Sequence, residues 1–414
     1  MTKRYFPIKT ATSCQLKWNW SVLYLNTGVT ASCHRTSFSQ LTPDNLKDFH
    51  NTDIKIQDRE DMLQGRWPES NCAYCRKIEE QGGVSDRLRQ QDMLETAPPE
   101  LENNPNATHV TPQILQVYFN NYCNLGCLYC TSHLSSSIEA ENKQHGDFIN
   151  DDVKLINFKR QAKDLIPAFW EWFKTDFKHL KQFHLLGGEP LLQKEFDKFL
   201  ELVNEYPNPQ CEISAVTNLM IPEERLEKYI SKIKRLIIEK KIKRFDFTCS
   251  LDCWGPEQEY VRYGLDLELW QRNFERLLKE QWLTININQT ISVLTVKTMP
   301  ELLRKMQGWR KQHKIGHWFS GVEPEPNYMK LEIFGNLEFK DNVKEIAKNL
   351  PQETEQDRLA FEYMKGIFAQ AFNSEPNYKQ INNLIIYLNE KDRRRNTNWR
   401  SLFPWLEKYE NNKY

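Results

Sequence analysis

Residues 117–130 read VYFNNYCNLGCLYC: an apolar run stops at Asn120, and Cys123, Cys127 and Cys130 follow, with Tyr129 directly before the last. The β-branched and aromatic residues ahead of Asn120 make the run a strand. Thiolates this close in sequence suit a single metal centre, and three of them leave its fourth position open. His133 could fill that position and close a tetrahedral zinc site. On a [4Fe–4S] cluster, three thiolates instead leave one iron free for a small chelating molecule. The cysteines alone support either reading.

Working outward from this strand, the chain alternates strand and helix from Gln113. Strands are expected at 114–120, 182–186, 212–217, 244–251, 283–294 and 318–322, and helices at 157–177, 193–206, 223–241, 269–281 and 300–312. This α/β pattern implies a parallel sheet covered by helices. An open sheet and a partial barrel fit it equally, and both place function at the C-terminal strand ends. The chemically notable residues fall at those ends in turn. Gly187-Gly188-Glu189-Pro190 follows the second strand, Thr217-Asn218 the third, and Ser250 and Asp252 the fourth. In the fifth strand Asn286 and Asn288 share one face by the period of two, and a polar face there points to the lining of a site.

Upstream, two β-type runs flank Asn26-Thr27-Gly28, a hairpin signal that leaves Cys14 and Cys33 at the open end. A helix near 58–65 precedes Cys72-Ala73-Tyr74-Cys75, which opens a helix running to Gln81; Gly82-Gly83 ends it, and a polar helix is expected at 85–95. Cys14, Cys33, Cys72 and Cys75 make a closed set of ligands, for a structural zinc or for an iron–sulfur cluster. The stretch 97–112 is rich in Pro and Asn and reads as a linker. The expected organisation is a hairpin-plus-helix Cys-rich module at 1–96, that linker, a central domain at 113–330, and a helical C-terminal extension at 331–414. Helices in the extension are expected at 339–349, 358–372, 378–388 and 399–409, and Asp392-Arg393-Arg394-Arg395 reads as a solvated helix end.

The net charge is zero, so no basic surplus draws the chain to nucleic acid, and no run of 18 apolar residues suggests a membrane span. A cytoplasmic protein is expected, in which the ten cysteines serve as ligands or core residues more than as disulfides. Cys211 and Cys249 lie in strands and read as small buried residues. Cys253 reads either as another or as a hydrogen-atom donor facing the site. Asp252 reads either as a polar strand end or as a group facing substrate.

Cys123-x3-Cys127-x-Tyr129-Cys130, directly after a first strand, resembles the cluster loop of radical S-adenosylmethionine enzymes, and Gly187-Gly188-Glu189-Pro190 resembles that family's motif after the second strand. The resemblance implies a partial (β/α)6 TIM-like barrel with a [4Fe–4S] cluster on Cys123, Cys127 and Cys130. It places S-adenosylmethionine at Gly187, Gly188, Glu189 and Pro190, with Tyr129 near the adenine and Asn218 and Ser250 near the ribose or methionine portions. In relatives with a similar Ser-Leu-Asp the residue at Asp252 faces the substrate, while the readings of Asn286 and Asn288 as site lining and of Cys253 as a donor rest on their strand positions alone. The implied reaction is reductive cleavage of S-adenosylmethionine to a 5′-deoxyadenosyl radical, with a reducing partner such as flavodoxin or ferredoxin.

The N-terminal cysteines, Cys14-x13-Gly28-x4-Cys33 with Cys72-x2-Cys75, are similar to the auxiliary-cluster modules called twitch and SPASM domains. That likeness implies one auxiliary iron–sulfur cluster, of the [4Fe–4S] type. Two features depart from the pattern: the module precedes the barrel, and the further cysteines of a full SPASM module are missing after Cys75. Over residues 10–330 the layout resembles twitch-type radical proteins of tailed bacterial viruses. The implied substrate is a peptide or protein side chain. The alternatives are a small molecule, nucleotide, nucleic acid or sugar as substrate, and, without catalysis, a zinc-stabilised binding module.

Overall fold

A computed structural model describes residues 6–68, 72–80, 82, 85–90, 97–150, 153–156, 164–322 and 325–410. Gln81, Gly83, residues 91–95 of the helix expected at 85–95 and residues 157–163 of the helix expected at 157–177 lie outside them. The chain divides into two compact units. One comprises Met1–Asn120, Lys159–Ala215 and Ile230–Phe245, and the other Asn121–Phe158, Val216–Tyr229 and Asp246–Tyr414.

In the first unit, strand Ile114–Tyr118 runs parallel to Gln182–Leu186, which runs parallel to Asn208–Thr217. On its other side Ile114–Tyr118 is flanked by Trp20–Tyr24, also parallel, with Trp20 opposite Ile114 and Tyr24 opposite Tyr118. Trp20–Tyr24 is the first strand of the expected hairpin. It pairs antiparallel with Val29–Ala31 through a turn in which Gly28 has φ +72°. The hairpin therefore extends the parallel sheet. Ser21, Val22 and Leu23 are all fully buried, so this strand is covered on both faces as an interior strand requires. Ile8, Cys14, Trp18, Met62, Leu101 and Val110 form a core cluster nearby. Leu101 and Val110 come from the stretch 97–112, which also carries the short helix Glu100–Asn103.

In the second unit, Asp246–Ser250 of strand Ile242–Ser250 pairs parallel with Thr284–Ile291, which pairs parallel with Ile315–Gly321. Helices Leu267–Leu277 and Met299–Arg310 alternate with these strands. Lys340–Asn349, Glu355–Phe372 and Tyr378–Arg395 supply the expected helical C-terminal region. The last of these runs past the expected end at 388 and stops where Asn396 turns left-handed, φ +53°. The helix expected at 399–409 is split into Trp399–Leu402 and a 3-10 turn, Pro404–Tyr409, because proline cannot donate in a helix interior. The α/β class holds, with an alternation consistent with the expected partial barrel.

The strands are two-faced, which is unusual for parallel pairing. Phe183, Leu185, Ile213 and Ala215 in the first unit, and Phe247, Cys249, Ile285 and Ile287 in the second, are buried. Their alternates, His184 and Ser214 in one unit and Asp246, Thr248, Asn288 and Ser320 in the other, are half-buried and polar. Among the described residues no helix is long and apolar enough to cross a membrane.

Candidate functional site

The cysteine loop begins in the second unit at Asn121, whose buried amide donates to Ser132 O and to Glu139, both at 2.8 Å. Ser135 caps helix Ser136–His145 and donates to Leu125 O at 2.7 Å. Ser136 Oγ accepts the Cys123 N–H at 3.0 Å, and Ser137 Oγ donates to Cys123 O at 2.8 Å. A run of serines at a helix start thus cinches the loop. Farther along, Gly126 and Cys127 pair antiparallel with Tyr263 and Arg262, and the Leu128 N–H reaches Val261 O at 2.9 Å.

Each cysteine has a distinct setting. Cys123 Sγ accepts from the Leu125 N–H at 3.5 Å and from Asn218 Nδ2 at 3.7 Å. Asn218 is fixed for this, since its Oδ1 accepts the Met220 N–H at 2.8 Å and its Nδ2 also reaches Asn124 Oδ1 at 3.0 Å. The expected role of Asn218 at the ribose or methionine is thus joined by a visible one, as a support for the cysteine loop. Burial raises the Cys127 thiol pKa, and burial together with Cys127 pushes Cys130 up to about 12. Such thiols are protonated at neutral pH, so a metal bound here displaces their protons.

The half-buried Tyr129 joins the buried Asp252 and Arg262 in one hydrogen-bonded group. Arg262 meets Asp252 through two hydrogen bonds of 2.8 Å, and the Tyr129 hydroxyl donates to Asp252 at 2.6 Å. The Thr290 N–H supplies a further bond to Asp252 Oδ1 at 2.8 Å. Asp252 is 0% exposed and both its oxygens are occupied, so the carboxylate ties the loop to the sheet and is not free to meet a substrate. Cys253 is also fully buried, with its Sγ on Gln258 Oε1 at 3.4 Å. Ser250 pairs opposite Asn288. Asn288 Oδ1 accepts from Ser320 at 3.1 Å and Asn286 Oδ1 from Gln356 at 3.4 Å, and the two asparagines do share a face.

The C-terminal helix Tyr378–Arg395 also serves the loop. The Tyr387 hydroxyl donates to Leu128 O, and Lys391 and Arg395 both pair with Glu141. The reading of Asp392–Arg395 as a solvated helix end is therefore corrected. Only Arg393 is solvated, while the side chains of Arg394 and Arg395 are 1% and 3% exposed. Partners more than two hundred residues away in sequence, in Glu141 and Asn142, account for the burial. Arg262, Tyr387 and Glu141 carried no spacing signal, and the only hint of this contact was the arginine run itself.

In the first unit, Gly187 and Gly188 have φ of +84° and +56°. A Cβ on Gly187 would stand 2.7 Å from Tyr118 Cδ1, so glycine is required there by both conformation and space. Glu189 is fully buried, and its Oε1 caps the turn Pro190–Leu192 by accepting the Leu191 N–H at 3.0 Å.

The same unit holds the N-terminal cysteines. Burial and then the charges of Cys33 and Cys72 push Cys14 up to about 12; burial, with Cys33 and Cys75 among the charges, does the same for Cys72. Cys33 Sγ accepts the Arg35 N–H at 3.4 Å. Lys17 pairs with Asp58 beneath them, and Arg87 holds Ser13 O and Ala11 O at 2.8 Å. Among the described residues no three His, Cys, Asp or Glu side chains converge as a single metal ion requires. An iron–sulfur cluster gives each thiolate its own iron, and the sulfur-rich, cation-flanked sets on both loops suit such a group.

Residues 117–287 match the family model of the radical SAM superfamily. No curated protein matches the chain. Among solved structures, similarity is found to Streptococcus suis SuiB bound to S-adenosylmethionine, at 15% identity and a TM-score of 0.37 over 74% of this chain and 64% of that one. It is found also to histidine-tagged anSMEcpe with bound AdoMet, at 21% identity and a TM-score of 0.35 over 63% of this chain and 59% of that one. The chain thus spans less than two thirds of the length of either. The matched segment holds the whole cysteine loop, Cys123 to Cys130, and the last two residues of the strand that leads into it.

Proposed function

We propose that this protein reductively cleaves S-adenosylmethionine and uses the resulting 5′-deoxyadenosyl radical to take a hydrogen atom from a peptide or protein side chain. The observation that carries the reading is the loop of Cys123, Cys127 and Cys130, pinned at both ends within the segment that matches the radical SAM superfamily. When bound, a [4Fe–4S] cluster with S-adenosylmethionine on its open iron supplies the electron transfer and the radical.

The chain's own residues hold and orient. Cys123, Cys127 and Cys130 are the cluster ligands, and Asn218 and the Leu125 N–H steady the first of them. Gly187 and Gly188 let backbone approach S-adenosylmethionine closely, with Glu189 and Pro190 forming the turn beside it. The aromatic Tyr129 and the polar Ser250, Asn286 and Asn288 complete the cofactor-binding set. Asp252 with Arg262 positions Tyr129, a role that replaces contact with substrate.

Cys14, Cys33, Cys72 and Cys75 hold an auxiliary iron–sulfur cluster in a twitch-like module, and the spacing of the Cys72-x2-Cys75 pair supports this. The choice of a peptide rests on that module's likeness to auxiliary-cluster modules. A flavodoxin or ferredoxin supplies the electron.

Deuterium transfer tests the substrate class. Peptides deuterated at side-chain carbons should pass deuterium into 5′-deoxyadenosine under anaerobic reduction. Transfer only from nucleosides or sugars would reject the peptide assignment.

A further inference from the structure

One member of the arginine run has no part in the chemistry described so far. Arg395 ends the helix Tyr378–Arg395, and its side chain is 3% exposed. Its Nε donates to Glu141 at 2.6 Å, and its guanidinium lies over the Tyr263 ring at 4.5 Å from the centroid. The two terminal nitrogens, Nη1 and Nη2, are buried and have no hydrogen-bond partner. They rest against the cysteine loop, since a Cβ on Gly126 would stand 3.0 Å from Nη2. Gly126 directly precedes Cys127, so the guanidinium abuts the segment that carries this ligand.

The neighbouring charges do not balance it. Glu141 is shared between Lys391 and Arg395, so one carboxylate faces two cations. Arg394 and Arg393 are both met by Glu390, and Arg262 by Asp252. Two positive charges are left over: one is shared with the solvent-exposed Arg393, and the other is buried at Arg395, whose two terminal nitrogens have no partner. A buried guanidinium with unused donors is costly unless an anion lies within its field. Cysteine thiolates on an iron–sulfur cluster make an anionic group, and Cys127 is the nearest of them along the chain.

We infer that Arg395 is a positioning residue for the cluster. From the C-terminal helix it supplies the positive charge facing the Gly126–Cys127 segment, and so raises the cluster's reduction potential. A fixed cation favours the reduced, more negative cluster, and charge and hydrogen bonding around the sulfurs are what set such potentials. The glycine at 126 follows from the same arrangement, because any larger residue would press on the guanidinium.

The inference rests on the radical SAM reading, and the test separates the two. The full chain is reconstituted anaerobically as wild type, Arg395→Met, Arg395→Lys and Gly126→Ala. Iron and sulfide are assayed, and the midpoint potential is read from the electron paramagnetic resonance signal that changes on adding S-adenosylmethionine. Arg395→Met should load iron normally and shift the reduction equilibrium about tenfold toward the oxidised cluster, which is about 59 mV for one electron. Arg395→Lys should recover at least half of that shift, and Gly126→Ala should move the potential the same way by less. A wild-type potential in iron-loaded Arg395→Met, or a lysine variant as shifted as the methionine one, would overturn the inference. If the wild type gives no signal that responds to S-adenosylmethionine, the radical SAM reading itself fails.

Discussion

Replacing Asp252 with alanine should destabilise the protein by about 4 kcal/mol, as expected for breaking a buried ion pair. Asp252 is 0% exposed, and the Arg262 side chain it meets twice at 2.8 Å is 7% exposed. Removing the carboxylate leaves the guanidinium uncompensated, at a cost of about 3–5 kcal/mol. The Tyr129 hydroxyl and the Thr290 N–H lose their acceptor as well, at about 1 kcal/mol each, in part already within that figure. Changing Arg262 to methionine in the same chain removes the stranded charge. The double variant should therefore be more stable than Asp252→Ala alone, with a coupling of about 2 kcal/mol. Urea midpoints of the metal-free, reduced protein, compared at unchanged slope, measure both quantities. An Asp252→Ala cost of about 0.5 kcal/mol, typical of a surface site, or a double variant that simply sums the single ones, would refute the reasoning.

Two further predictions concern single side chains. Gly187→Ala places an L residue at φ +84° with its Cβ 2.7 Å from Tyr118, so thermal unfolding should show a loss of at least about 1–2 kcal/mol, part of it recovered by Tyr118→Ala. No loss would mean that the turn is not held in the left-handed region. Burial, and then the charge of Arg310, lowers His317 from 6.5 to about 3. The unfolded chain then binds the extra proton, so this contribution to stability is present above pH 6.5 and lost as pH falls toward 3. His317→Gln should flatten the acid limb of stability against pH, and an unchanged limb would contradict the assignment.

Much of this was legible in the sequence because it is local. The strand Gln182–Leu186 and the helices Lys194–Glu205 and Met299–Arg310 lie within a residue or two of their expected places, since each carries its own hydrophobic period. The three loop cysteines announce themselves by spacing. What could not be read depends on partners distant in sequence. Nothing in Trp20–Tyr24 says that it will pair with Ile114–Tyr118 in parallel, because a short buried strand suits a hairpin and an interior sheet position alike. The burial of Arg394 and Arg395 depends on Asn142 and Glu141, and the engagement of Asp252 depends on Arg262 and Tyr129. A charge run or a strand-end carboxylate looks the same in sequence whether its partner is water or a buried ion.

The radical chemistry is tested most directly by anaerobic reduction with S-adenosylmethionine, comparing wild type with Cys127→Ala for 5′-deoxyadenosine formed without added substrate. The wild type should produce 5′-deoxyadenosine. The variant should produce none while retaining the iron and sulfide held by Cys14, Cys33, Cys72 and Cys75. Production by Cys127→Ala at the wild-type rate would contradict the account.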